Sequence, residues 1–285
     1  MFTTLITCTE LQALQQSAAP LLIVDCTADL MNPAAGLQQF LDAHIPGAIH
    51  ADLDHDLSAH GTADAASGGR HPLPRREVFA HWLRQIGLRT DTQVVVYDRN
   101  GLNFCGRLWW MLKWAGHEAV AVLDGGLAAW MASGGAVENG PATPRAPSDW
   151  TLQPPLREMV TAADVLAHLD QPDQTLIDAR AAPRYHGEVE PLDPVAGHIP
   201  GALNRPFGLN LDEQGRFKPA DTLRAEFEAL LAGRDPASVV HQCGSGVSAL
   251  PNLLAMEVAG FAPTRLFAGS WSEWCRDPSR PVAKG

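Results

Sequence analysis

One cysteine lies where a strand-like segment gives way to a glycine-rich turn. Residues 239–249 read VVHQCGSGVSA, so Cys243 follows an apolar, β-branched run and is followed closely by Gly244 and Gly246. Glycine permits backbone angles that turn consecutive N–H groups inward, and a helix beginning near Val247 would add the positive end of its dipole. Both features stabilise a thiolate, the nucleophilic form of cysteine. The segment therefore predicts a catalytic nucleophile at position 243.

The other four cysteines have no such surroundings, and we interpret them as structural. They are Cys8, Cys26, Cys105 and Cys275. No CxxC pair occurs, which excludes a zinc knuckle or a thioredoxin-type motif. The 11 histidines are dispersed without HExxH spacing, so no metal is predicted. Scattered cysteines in odd number favour a cytoplasmic protein with reduced thiols.

The chain contains two versions of the same pattern. The matched pairs are LIVDC at 22–26 with LIDAR at 176–180, AHIPGA at 43–48 with GHIPGA at 197–202, VVVYD at 94–98 with VVHQC at 239–243, and LDGGLAAW at 123–130 with FAGSWSEW at 267–274. A repeat of this length indicates a duplicated domain. Asp98 stands in the first half where Cys243 stands in the second, and a carboxylate is a poor sulfur nucleophile. Only the second half is therefore predicted to be active.

In both halves short apolar runs alternate with helical stretches. This alternation predicts an α/β fold with two tandem domains, each a parallel sheet flanked by helices. We place the first domain at residues 1–140 and the second at 156–285. The proline-rich segment 141–155 has no apolar periodicity and is predicted to link them.

Composition excludes several classes of protein. The 285 residues are 46% hydrophobic, which is enough for two domain cores. The formal net charge of −11 disfavours nucleic acid and anionic membranes as partners. No apolar run reaches about 18 residues, so no membrane span is expected. Residues 1–69 contain no lysine and no arginine, so we expect no basic targeting leader.

Several motifs together resemble the tandem-domain rhodanese family of sulfurtransferases. They are AHIPGA and GHIPGA, GGRHPLP at 68–74, LDGGLAAW, and CGSGVSA at 243–249. The resemblance implies two rhodanese-like domains, with the catalytic cysteine in the second. It implies that a donor passes a sulfane sulfur to the cysteine, and that a thiol such as thioredoxin, or cyanide, removes it. It also implies a monomer that needs no cofactor beyond the covalent persulfide.

The composition of the loop indicates which donor the enzyme takes. Rhodaneses proper resemble CRKGVTA, whereas the 3-mercaptopyruvate sulfurtransferases resemble CGSGVTA or CGTGVTA, which are neutral like CGSGVSA here. A neutral loop suits a monoanionic keto acid better than dianionic thiosulfate. We therefore expect 3-mercaptopyruvate as donor and keep thiosulfate as the alternative. A rhodanese-like phosphatase is a remote alternative, because it needs an arginine six positions after the cysteine, where this chain has Ala249.

The resemblance also implies a proton relay beside the cysteine. Its members map to Ser245, His71 and Asp54, although Asp52 and Asp56 lie close enough in sequence to compete for the last position. Such a set could orient a hydroxyl and move a proton. This chemistry suits mercaptopyruvate, whose leaving enolate must be protonated.

Donor binding maps to an arginine and to the loop backbone. Arg184 matches an arginine that binds the donor's anionic group, and its alternative role is an ion pair with Glu188 or Glu190. The loop positions are Gly244, Gly246, Val247 and Ser248. Mercaptopyruvate enzymes often carry a second arginine before GHIPG. Here that stretch reads VEPLDPVAG, so this second arginine is absent.

Overall fold

The computed structural model describes residues 1–61, 63 and 65–285. They form two compact units. The first comprises Met1–Asp64, Pro74–Leu156 and Leu211–Phe217, and the second comprises Ala65–Leu73, Arg157–Asn210 and Lys218–Gly285. The segment with His71 therefore belongs to the second unit, although it lies in the first half of the sequence. The sequence predicted this segment in the first domain, together with the rest of residues 1–140.

The first unit is built on a five-stranded parallel sheet. Its strands are β1 (Leu5–Ile6), β2 (Leu21–Asp25), β3 (Ile49–His50), β4 (Gln93–Tyr97) and β5 (Val120–Leu123), in the order β1-β5-β4-β2-β3. Its helices are α1 (Cys8–Gln16), α2 (Ala34–Asp42), α3 (Arg76–Gln85), α4 (Cys105–Trp114) and α5 (Gly126–Ala132).

The second unit repeats this topology. Its strands are β6 (Met159–Val160), β7 (Thr175–Asp178), β8 (Leu203–Asn204), β9 (Val239–Gln242) and β10 (Arg265–Phe267), in the order β6-β10-β9-β7-β8. Its helices are α6 (Ala162–Ala167), α7 (Ala182–His186), α8 (Ala220–Leu231), α9 (Leu250–Val258) and α10 (Ser270–Trp274), with short 3-10 helices at Phe207–Asn210 and Pro236–Ser238.

The central strands have both faces covered, which explains their sequences. Every residue of β4 and of β9 is buried, as is typical of parallel sheets flanked by helices on both sides. The structure thus confirms the predicted α/β fold with a parallel sheet in each half. No helix in the described part of the chain is both long and apolar enough to cross a bilayer.

The two central strands lead into equivalent turns, after β4 and after β9. In the first unit the turn contains Asp98, which is buried and whose carboxylate accepts four backbone hydrogen bonds of 2.8–2.9 Å. The donors are the N–H groups of Asn100, Leu102, Phe104 and Cys105. Burial raises the pKa of Asp98 in spite of these bonds. A fixed carboxylate thus occupies this turn at the position that is Cys243 in the second unit.

Replacing Asp98 should destabilise the first unit. Asp98→Ala would leave four inward N–H groups without acceptors, so we expect the free energy of unfolding to fall by about 2–4 kcal/mol in urea denaturation. Asp91→Ala is the matched control, because that side chain is 64% exposed and its contact with Arg89 is 3.7 Å long. The control should change stability by less than about 0.5 kcal/mol. Equal effects would show that the four hydrogen bonds do not stabilise this turn.

Candidate active site

The catalytic loop, residues 243–249, connects β9 to α9. Cys243 follows the last residue of β9 directly and is 1% exposed. Ser245 and Val247 are also buried, whereas Ser248 is partly exposed. The predicted nucleophile therefore lies at the carboxyl end of a central parallel strand, where α/β proteins bind their ligands.

Helix α9 begins later than the sequence suggested. We expected it to start near Val247, but its first residue is Leu250. Pro251 explains the difference, because proline lacks an N–H group and is accommodated in the first turn of a helix. The Leu250 N–H donates to the carbonyl of Val247 in a preceding turn. The expectation of a helix N-terminus immediately beside the cysteine was therefore wrong by three residues.

A second stretch, residues 268–272, holds the catalytic loop; we call it the anchor segment. The Ser270 hydroxyl accepts the Cys243 N–H at 3.1 Å and donates to the Phe267 carbonyl at 3.0 Å. The Trp271 N–H donates to the carbonyl of Cys243 at 2.9 Å, and the Ser272 N–H donates to that of Gly244 at 2.9 Å. The backbone N–H and the backbone carbonyl of Cys243 are thus both held by hydrogen bonds.

Gly246 brings the catalytic loop against the same segment. Its φ is +73°, and a Cβ placed there would lie 2.1 Å from the carbonyl oxygen of Ala268. Glycine is therefore required at this position both for its backbone conformation and for lack of space. The role predicted for Gly246 in donor binding is not tested by this contact, which explains only how the loop is shaped.

Two of the predicted relay residues are in contact. The Nδ1 atom of His71 lies 2.8 Å from the Oγ of Ser245, and both side chains are buried. Asp54 belongs to the first unit, where its Oδ1 lies 2.9 Å from Nε2 of His60. The pairing of His71 with Ser245 is therefore present, and the part assigned to Asp54 stays a prediction. Asp52 binds His55 and the Asp54 N–H.

Arg184 forms ion pairs with buried carboxylates. Its Nε and Nη2 bind the two oxygens of Glu190 at 3.2 and 2.6 Å, and Nη2 also lies 3.3 Å from Asp193. The arginines and backbone N–H groups around Glu190 hold its pKa below the usual value, although burial opposes this. The sequence offered donor binding and an ion pair with Glu190 as alternatives, and the structure shows the ion pair. Donor binding stays a prediction, because Nη1 of Arg184 takes no part in these ion pairs.

A second arginine lies at the same place. A Cβ on Gly244 would lie 3.2 Å from Nη2 of Arg70 and 3.3 Å from Nη1 of Arg184. Arg70 is held by its backbone N–H, which donates to the Ser272 hydroxyl at 2.9 Å, and by Nη1, which lies 2.5 Å from Asp193. The loop itself carries no cation, as its sequence shows, but two guanidinium groups from elsewhere in the chain lie beside its second residue.

The second unit contains two further buried polar residues near Cys243. Arg180 interacts with it electrostatically, and His241 precedes it by two positions. Arg180 is buried between Asp178 and Glu190 and stacks over Trp271. Burial opposes its charged form, but Asp178, Glu190 and Cys243 raise the pKa of Arg180. Burial lowers the pKa of His241 to about 3, and neither of its ring nitrogens has a hydrogen-bond partner among the described residues. His241 is therefore neutral and unsuited to proton transfer at neutral pH.

Sequence reasoning did not assign Ser270 or Asp193 to the site. Ser270 could have been found, because FAGSWSEW replaces the Gly126 of LDGGLAAW with a hydroxyl residue. Both residues adopt positive φ, +58° for Gly126 and +54° for Ser270. A serine in a conformation that favours glycine indicates a compensating bond, here the one to Cys243. Among the described residues no cluster of three or more His, Cys, Asp or Glu side chains could hold a metal ion.

The fold and the loop together define an α/β protein with two like units, in the second of which a buried cysteine, Cys243, follows the central strand β9. The model of the rhodanese-like domain matches residues 7–133 and 161–277. The chain is 49% identical to a probable 3-mercaptopyruvate sulfurtransferase of Pseudomonas aeruginosa, over 96% of this chain and 95% of the relative. It is 41% identical to a putative thiosulfate sulfurtransferase, SseB, of Mycobacterium tuberculosis, over 99% and 97%.

A solved structure agrees with these matches. The crystal structure of SseA from Escherichia coli, described as a 3-mercaptopyruvate sulfotransferase, superposes with a TM-score of 0.77 at 32% identity, covering 95% of this chain and all of that one. The chain belongs to the rhodanese-like domain family. The prediction that it is a sulfurtransferase is thereby confirmed.

The close approach of Gly246 to Ala268 leads to a test of the loop. Gly246→Ala should abolish most sulfur transfer and destabilise the protein, because the added methyl group cannot fit beside the Ala268 carbonyl. Gly233→Ala is a matched control, since Gly233 also has positive φ (+87°) but would contact nothing within 4 Å. The control should lose about 1 kcal/mol of stability from backbone strain and keep its activity. Similar activity in the two variants would contradict the steric role of Gly246.

Proposed function

We propose that this protein transfers a sulfane sulfur from 3-mercaptopyruvate, through a persulfide on Cys243, to a thiol acceptor such as thioredoxin or to cyanide. The observation that carries the choice of donor is the contact between His71 and Ser245, two residues beyond the nucleophile. A hydroxyl hydrogen-bonded to an imidazole can deliver a proton, and the departing carbon of mercaptopyruvate needs one. The similarity to the relative from Pseudomonas aeruginosa supports the same donor.

The first half-reaction breaks a carbon–sulfur bond. The Cys243 thiolate attacks the sulfur of the donor, a sulfur–sulfur bond forms, and the electron pair of the carbon–sulfur bond leaves with the carbon as the enolate of pyruvate. The enolate carbon takes a proton, which the Ser245 hydroxyl supplies and His71 replaces. The products are pyruvate and the persulfide of Cys243.

The second half-reaction restores the enzyme. An acceptor thiolate attacks the outer sulfur of the persulfide, a new sulfur–sulfur bond forms on the acceptor, and the electron pair of the broken bond returns to Cys243 as the thiolate. With cyanide the product is thiocyanate. Neither route changes the overall charge on Cys243 over a full cycle, and neither needs a metal or a bound cofactor.

Thiosulfate is a second candidate donor because of the charges beside the loop. Arg70 and Arg184 lie where they could attract an anion, and the relative from Mycobacterium tuberculosis is named as a thiosulfate sulfurtransferase. Thiosulfate releases sulfite, which leaves with its electron pair and needs no proton on carbon. The use of the Ser245–His71 pair therefore distinguishes the two donors.

The assignment of the nucleophile is tested by paired cysteine variants. Cys243→Ser should reduce sulfur transfer from either donor below about one-thousandth of wild type, because an alkoxide is not accessible at neutral pH. Cys8→Ser should retain wild-type activity, since Cys8 is a partly exposed residue at the start of α1. Mass spectrometry after donor addition should find one extra sulfur atom on a peptide with Cys243. An extra sulfur on another cysteine, or activity in Cys243→Ser, would refute the assignment.

The proton-transfer role is tested by comparing donors in one variant. Ser245→Ala should lower kcat with mercaptopyruvate by about 10²-fold, the contribution expected of general acid catalysis, and should affect thiosulfate far less. His71→Gln should show the same selectivity, because it removes the group that reprotonates the hydroxyl. Steady-state assays with cyanide as acceptor measure both donors. Equal losses with both would mean that the pair only supports the loop.

A further inference from the structure

The two arginines beside Gly244 present unused hydrogen-bond donors to the catalytic loop. Nη2 of Arg70 and Nη1 of Arg184 would both lie within 3.3 Å of a Cβ on Gly244. Neither nitrogen has a hydrogen-bond partner among the residues that the structure describes. Two donors from different side chains thus converge on one point, next to the residue that follows the nucleophile.

The remaining nitrogens of these arginines are bound by carboxylates. Asp193 lies between the two side chains, with one oxygen 2.5 Å from Arg70 and the other 3.3 Å from Arg184, while Glu190 binds Arg184 from a further direction. The carboxylates are 2–3% exposed, whereas the side chains of Arg70 and Arg184 are 26% and 18% exposed. The carboxylates are therefore buried, whereas both arginine side chains keep part of their surface accessible.

We propose that Arg70 is the second guanidinium group that binds the donor's carboxylate, together with Arg184, and that Asp193 restricts this pair to singly charged donors. The proposal rests on the proposed function, because it assigns the donor to the same site. Arg70 comes from the GGRHPLP segment and thereby supplies the charge that VEPLDPVAG lacks. Two N–H donors directed at one point suit the two oxygens of a carboxylate.

The charge balance around the pair explains the role of Asp193. Three arginines, Arg70, Arg180 and Arg184, interact here with three carboxylates, Asp178, Glu190 and Asp193. The formal charges of these six side chains cancel. A dianion therefore adds more uncompensated negative charge than a monoanion, and both must approach the Cys243 thiolate. Removing one carboxylate should shift the preference toward the dianion.

The role of Arg70 is tested with a ligand that carries no sulfur. Pyruvate has the carboxylate and keto group of the donor, and we expect its inhibition constant to rise about tenfold or more in Arg70→Met, together with the KM for mercaptopyruvate, while kcat changes less. Arg70→Lys should give an intermediate effect, because it retains the charge but not the planar group. Arg276→Met, at an exposed position of the same unit, is the control and should match wild type. Unchanged pyruvate inhibition in Arg70→Met would overturn the assignment.

The role of Asp193 is tested by the ratio of the two donors. In Asp193→Asn the ratio of kcat/KM for thiosulfate to that for mercaptopyruvate should rise about tenfold, and in the double variant Arg70→Met/Asp193→Asn it should return toward the wild-type ratio. Asp173→Asn, at a 68% exposed side chain, should leave the ratio unchanged. A proportional fall with both donors in Asp193→Asn would overturn the charge role, since it would mean that Asp193 only holds the arginines in place.

Failure of this proposal is distinguishable from failure of the proposed function. Suppose the wild-type enzyme uses mercaptopyruvate and forms the Cys243 persulfide, but Arg70→Met binds pyruvate normally. Then Arg70 does not bind the donor's carboxylate, and the proposed function stands. If the wild-type enzyme transfers no sulfur from mercaptopyruvate, the proposed donor is wrong whatever Arg70 does.

Discussion

The active site depends on the hydrogen bonds between the catalytic loop and the anchor segment. Three bonds of 2.9–3.1 Å connect Cys243 and Gly244 to Ser270, Trp271 and Ser272. They fix the backbone of Cys243, the proposed nucleophile, between the ends of two neighbouring parallel strands, β9 and β10. The same segment also binds the backbone N–H of Arg70 through the Ser272 hydroxyl. The anchor segment therefore positions both Cys243 and Arg70 beside the loop.

The equivalent turn of the first unit has Asp98 in place of Cys243. Its equivalent bond, from the Leu127 N–H to the Asp98 carbonyl, is retained at 3.2 Å. The Asp98 carboxylate binds four amide groups and is inaccessible to solvent, so the turn satisfies its own donors. Where the second unit has Cys243, the proposed nucleophile, the first has a carboxylate that binds the backbone of its own turn. The two turns therefore share a backbone hydrogen bond but differ in what their first side chain contacts.

The sequence predicted the fold well because strands and turns leave local signals. The apolar runs at 94–97 and 238–241 fall on β4 and β9 to within one residue, and the repeat carries the topology of one sheet over to the other. The start of α9 was misplaced because residues 247–249 form a turn ahead of the helix, closed by the bond from the Leu250 N–H to the Val247 carbonyl. The contact of His71 with Ser245 was anticipated only through family resemblance, since 174 residues separate the two along the chain.

The electrostatic environment of the loop is the property of the site that the loop's own sequence predicts least well. CGSGVSA is neutral as a string, yet two guanidinium groups lie beside its second residue, and one of them comes from position 70. The absence of a side chain on Gly244 is what leaves room for them. In loops of the CRKGVTA type a cationic side chain would begin from this same position. The electrostatic potential at the site therefore does not follow from the charge of the loop alone. A glycine at position 244 leaves space that arginines from distant positions occupy. Buried carboxylates such as Asp193 then determine how much of that positive charge a ligand experiences.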